Sequence, residues 1–203
     1  QETLAGVPES ALDTLKATAE AKGVAGYRIT LDFPSFFPVV SYADNRELRR
    51  EVYTAFVTRA SDEGPDAGKF DNAAIMEEIL ALRSEMAQLL GFATYADYSL
   101  TTKMAESPEQ VLDFLNDLAR RAVPQAKEEF AELSDYARDE LDLETLEPWD
   151  VAYASEKLRE ARHSISQEQL RPYFPAPQVV DGLFQVVERL YGVCFEEDTQ
   201  ASR

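Results

Sequence analysis

The sequence predicts a mainly α protein, an irregular multi-helix array with a small β-hairpin near residues 27–42. Three observations carry this reading. Apolar residues recur at spacings of three and four through most of the 203 residues. Helix start and stop residues flank those runs, as Ser107-Pro108-Glu109 and Gly91 do. One short stretch, beginning at Tyr27, changes to a period of two. A hydrophobic content of 45% suits an ordinary globular core. We expect one helical domain over 1–203, open to subdivision into 1–106 and 107–203.

Glu9 to Lys22 reads as the first helix, with Pro8 at its start, Leu12, Leu15 and Ala19 on one face, and Gly23 as its stop. Tyr27, Ile29, Leu31 and Phe33 then alternate with Arg28, Thr30 and Asp32, the pattern of a half-buried strand. Pro34-Ser35 turns the chain, and Phe36 to Tyr42 is expected to return as an edge strand, because Pro38 has no amide to donate. Asp44 and Glu47 predict a capped helix to Asp62, and Asp71 a second one to Leu90. In that second helix Ile75, Ile79, Leu82, Met86 and Leu89 form one stripe, with Met76, Leu80, Ala87 and Leu90 beside it. So wide an apolar face predicts a central helix. The long run from Pro108 toward Leu141 holds Pro124, which should kink it near Arg120. Helices from Asp150 to His163, Ser166 to Tyr173 and Pro177 to Leu190 complete the chain.

The net charge of -18 repels phosphate backbones, so no nucleic-acid partner is expected. No apolar run approaches the roughly 20 residues of a membrane span, and no basic-then-apolar leader stands at the N-terminus. The single cysteine, Cys194, fits a reducing compartment. Phosphate-binding, dinucleotide, nucleophile-elbow and calcium-loop motifs are missing. The Glu160-x-x-His163 unit would need a second copy to build a dinuclear metal centre, and the chain has one histidine. No residue of this chain is therefore assigned as catalytic or as a metal ligand.

Two arginines fall in apolar stripes. Arg83 lies between Leu80 and Ala87, and Arg59 continues Leu48, Val52 and Ala55. A guanidinium on a buried face must be paired, so both are candidates for structural ion pairs. Asp150, Tyr153 and Lys157 share one helix face and are candidates for lining a groove.

Six segments come in an order that resembles one known family. They are Phe33-Pro34-Ser35-Phe36-Phe37-Pro38-Val39, Tyr53 to Asp62, Ile79 to Phe92, Leu100 to Pro108, Trp149-Asp150 with Tyr153, and Tyr173-Phe174-Pro175 through Gly182-Leu183-Phe184. Together they resemble the thimet-type zinc oligopeptidases, above all the bacterial oligopeptidase A branch. The resemblance implies a cytoplasmic metalloendopeptidase of two helical, zincin-like lobes around a deep channel that admits short unfolded peptides. It implies that zinc is held by an H-E-x-x-H motif and a further Glu in a C-terminal catalytic region, none of which has a counterpart in this chain. This portion would be the non-catalytic scaffold and channel wall, inactive alone, with Asp150, Tyr153 and Lys157 as the channel candidates. Its partners would be short peptides and the catalytic region, and exposed apolar surface would promote self-association. A dipeptidyl carboxypeptidase of the same family and a non-catalytic peptide-binding adaptor are the alternatives.

Overall fold

The structure, a computed structural model, describes residues 2–164 and 167–196. It is mainly helical, and no strand occurs among the described residues. The chain divides into two compact units, 1–158 and 159–203; the 106/107 boundary considered from sequence falls within the first.

In the first unit, α1 (Glu9–Glu20), α2 (Phe33–Tyr42) and α3 (Arg46–Val57) pack in succession. Their apolar core joins Leu4 and Val7 to Ala11, Leu15, Phe36, Val39, Val40, Ala43 and Val52. The Phe36 and Phe56 rings stack with centroids 4.0 Å apart. Ahead of α1, a 3-10 turn at Glu2–Leu4 folds back on the end of α2, where the Asp44 amide donates to the Ala5 carbonyl at 2.8 Å. Gly6, at φ +86°, allows this approach: a Cβ there would lie 2.2 Å from the Tyr42 carbonyl oxygen.

The hairpin expected near residues 27–42 does not form. Residues 33–42 are helix α2, because Phe36, Val39, Val40 and Ala43 follow the i, i+3, i+4, i+7 pattern and all are buried. Pro34 sits in the first turn, where its missing amide costs nothing, and Pro38 removes one bond from a helix held mainly by burial. The period-two stretch before it is real but has no partner strand among the described residues. Tyr27 and Ile29 pack against the α1–α3 core, the Arg28 amide donates to the Leu15 carbonyl at 3.1 Å, and the Thr30 amide to Ser35 Oγ at 2.8 Å.

After a loop over 58–72 come α4 (Ala73–Leu89) and α5 (Tyr95–Leu100), then the 34-residue α6 (Pro108–Leu141). The α4 helix ends in a Schellman turn, with the Gly91 amide donating to the Gln88 carbonyl and the Phe92 amide to the Ala87 carbonyl. Thr94 and Asp97 form a reciprocal capping box on α5, and Ser107 caps α6 by accepting from the Gln110 amide at 3.2 Å. The α6 helix runs unbroken through Pro124. Contrary to expectation, α4 is not central: only Ala87 is buried, and Ile75, Leu80, Leu82 and Leu89 are exposed. The two stripes are there, but nothing among the described residues covers them.

A second core forms where α6 meets the start of α7 (Val151–His163). It comprises Leu133, Ala137, Leu143 and Ala154, with Leu141, Leu146, Val151 and Leu158 packed around them. In the second unit, α8 (Gln167–Leu170) and a 3-10 turn at Arg171–Tyr173 precede α9 (Ala176–Tyr191), which Gly192 terminates at φ +65°. The helix expected over Ser166–Tyr173 matches these two elements except at Ser166, outside the described residues. No residue of α9 is buried, although it is strongly amphipathic. Among the described residues no helix is long and apolar enough to cross a membrane.

Candidate functional site

The polar centre of the first unit forms where α3 begins and α7 begins. Asn45 caps α3, its side-chain oxygen accepting from the Leu48 amide at 3.0 Å. The expected cap, Asp44, is used otherwise: its Oδ1 accepts from the Tyr153 hydroxyl at 2.9 Å. Leaving the cap to Asn45 puts Arg46 in the first turn and Arg49 on the face that also carries Val52 and Phe56. At the other element, a turn closes when the Asp150 amide donates to the Glu147 carbonyl at 2.8 Å. The Asp150 carbonyl then accepts the first α7 bond, from the Ala154 amide at 2.8 Å.

Asp150 is fully buried, and its carboxylate lies between the two arginines. Arg46 Nη2 is 2.7 Å from Oδ2 and Arg46 Nε 3.2 Å from Oδ1, a bidentate grip. Arg49 Nη2 is 2.8 Å from Oδ1, and the Glu147 amide donates to Oδ2 at 3.3 Å. Arg49, only 1% exposed, also donates through Nη1 to the Ala43 carbonyl at 2.7 Å. Its guanidinium lies 4.0 Å above the Tyr153 ring. Arg46 reaches on to the Thr145 carbonyl at 3.0 Å. Burial by itself would push the Asp150 carboxyl up, but the hydrogen bonds from Arg46, Arg49 and the Glu147 amide outweigh it and hold it below the usual carboxylate range. The same bond to Asp150 raises Arg46.

Of the three groove candidates, the structure brings Asp150 and Tyr153 into this cluster. Lys157 joins through its ammonium, 5.4 Å from the Tyr153 ring centre. Asp150 is wholly enclosed by its partners, whereas Tyr153 and Lys157 are half-buried. The arginines singled out from sequence lie elsewhere and are exposed. Arg59 donates to the Phe56 and Leu31 carbonyls and stacks on Phe56, and Arg83 stands 5.1 Å over the Tyr95 ring. Instead, a buried ion pair forms at Arg49, which the sequence reading missed. Its signal was present: Arg49 precedes Val52 by three residues and Phe56 by seven, on the buried face. Arg46 and Arg50 on either side make that face look solvated.

The chemistry this cluster supports is structural. Every oxygen of Asp150 is engaged by a donor, so it has no free lone pair poised to take a proton from a substrate. Nor do the residues fit a catalytic metal, since no group of three or more His, Cys, Asp or Glu side chains converges among the described residues.

The model of peptidase family M3 matches residues 39–203. The chain belongs to this family. It is 60% identical over 196 residues to oligopeptidase A of Salmonella typhimurium, covering 97% of this chain and 29% of that protein. Oligopeptidase A of Escherichia coli is likewise 60% identical, over 96% of this chain and 28% of its own length. The dipeptidyl carboxypeptidase of Escherichia coli is 30% identical over 96% of this chain and 28% of that protein. This family M3 chain thus spans less than a third of the length of the curated relatives it matches.

Proposed function

We propose that the chain is the helical, non-catalytic portion of an oligopeptidase A-like zinc metalloendopeptidase, serving as scaffold and as one wall of a channel for short peptides. The observation that carries this reading is the 60% identity to two oligopeptidases A, sustained over nearly all of this chain. Half that identity to a dipeptidyl carboxypeptidase favours the endopeptidase over the exopeptidase alternative. The zinc, the catalytic region that holds it and the cytoplasmic location come from the likeness to the family, and no catalytic step is derived through residues of this chain. In this reading the enclosed Asp150, with Arg46 and Arg49, keeps the wall in shape. Tyr153 and Lys157, still partly open to solvent, are the side chains that meet peptide.

The test is direct. The purified 203-residue chain, incubated with short unfolded peptides and zinc, should release no fragments. Cleavage that a chelator abolishes, in a preparation free of other proteases, would sink the scaffold reading.

A further inference from the structure

The molecule's first unit contains two apolar clusters, and they share no residue. One unites α1–α3; the other sits between α6 and α7. Packing along a length joins α1 to α2 and α2 to α3, and separately α4 to α5 and α5 to α6. The covalent link between these sets is the exposed loop over 58–72, which includes Gly64 and Gly68 at positive φ. The first turn of α7 serves both clusters, since Ala152 packs against the α1–α3 core while Val151 and Ala154 belong to the other. Directly before that turn stands Asp150, bound by Arg46 and Arg49 across more than a hundred residues of sequence.

We propose that the Asp150–Arg46–Arg49 cluster is a pin between two bodies, the α1–α3 bundle and the α4–α7 arm, and that releasing it lets the arm swing on the 58–72 loop while both clusters stay folded. Small apolar contacts can slide by fractions of an ångström at little cost. A buried charge pair cannot, because any separation leaves Arg49 and Asp150 desolvated and unpaired until water reaches both. The joint is therefore two-state, shut or released, which is the kind of element that converts a local event into a large displacement. Water has a way in, because the Arg46 side chain is 41% exposed while its partner carboxylate is 0% exposed. The remaining groups around the joint would move with their own bodies: Asp44 and the Ala43 carbonyl with α1–α3, Tyr153, Lys157 and Glu147 with the arm.

Spin labels at Glu51→Cys on α3 and Glu140→Cys on α6, in a Cys194→Ser background that removes the exposed native thiol, report the distance between the bodies. The unmutated pin should give one narrow distance distribution. Asp150→Asn should abolish that single peak in favour of a broad distribution, with amide-exchange protection retained at Leu15 and Val39 in one cluster and at Leu133 and Ala137 in the other. Arg46→Met, which leaves the Arg49–Asp150 bond in place, should broaden the distribution less. A distribution as narrow as the starting one in both variants overturns the pin. Loss of protection in both clusters together in Asp150→Asn also overturns it, since Asp150 would then support one continuous core.

Discussion

At the scale of the residue, Asp150 makes a distinct contribution to this chain's pH behaviour. Asp150 is ionised, enclosed and held by two guanidinium groups, so its folded-state carboxyl titrates below its unfolded value. A group depressed in this way contributes stability that is fully present above the unfolded carboxyl value of about 4 and disappears as pH falls through the folded one. Replacing Asp150 by Asn removes the counter-ion of Arg49; the guanidinium left buried would cost on the order of 3–5 kcal/mol at neutral pH, a cost that opening of the joint to water relieves in part. The chain carries 38 acidic residues, so the acid limb of any one protein mixes many titrations. The difference between wild type and Asp150→Asn isolates this one. Urea unfolding of both should show the full gap at pH 7 and a gap that closes steadily below about pH 4. A gap independent of pH would show that the loss is one of packing. The face of Arg49 and the candidacy of Asp150 were legible in the sequence, but their pairing was not, because an ion pair between residues 46–49 and 150 leaves no local pattern. Periodicity reports which face a residue occupies and is silent on what lies opposite.

At the scale of the element, helices were legible wherever cap, period and terminator agreed, as from Ser107 through α6 and at Gly91. The reading failed at residues 27–42, where two prolines and an alternating prefix outweighed the i, i+3, i+4, i+7 spacing of Phe36, Val39, Val40 and Ala43. From sequence Pro34 reads as a turn and Pro38 as an edge-strand residue, although a proline in the first helical turn, where Pro34 sits, favours helix equally well. Pro124 shows the opposite case. It sits near the middle of α6, removes the bond to the Arg120 carbonyl, and is tolerated because the helix continues on both sides with its own caps. Pro124→Ala should restore that bond and stabilise the chain by up to about 3 kcal/mol, which for a chain of this size raises Tm by several degrees. Calorimetry measures it. A lowered Tm would mean that Pro124 is itself required for packing or for restricting the unfolded chain.

Seen at the level of the whole molecule, too much apolar surface is left open for the amount that is buried. Leu89 is 81% exposed, Met104 100%, Leu190 70% and Tyr173 76%, and α9 buries nothing despite its marked apolar face. Patches of this kind mark surfaces that another body covers. In our reading that body is the remainder of a family M3 protein, of which this chain matches less than a third by length. Opposing any association of the chain with itself is its net charge of -18. The two effects have different ranges. Charge repulsion acts over a Debye length of roughly 30 Å at 0.01 M salt but only about 3 Å at 1 M, whereas apolar attraction needs contact and is not weakened by salt. Repulsion should therefore win at low ionic strength and attraction at high. Sedimentation velocity should show a monomer in dilute buffer and a concentration-dependent shift to larger species as sodium chloride rises. A chain that stays monomeric at every salt and protein concentration would show that these apolar side chains do not form a cohesive face, and the argument for a covering partner would fall with it.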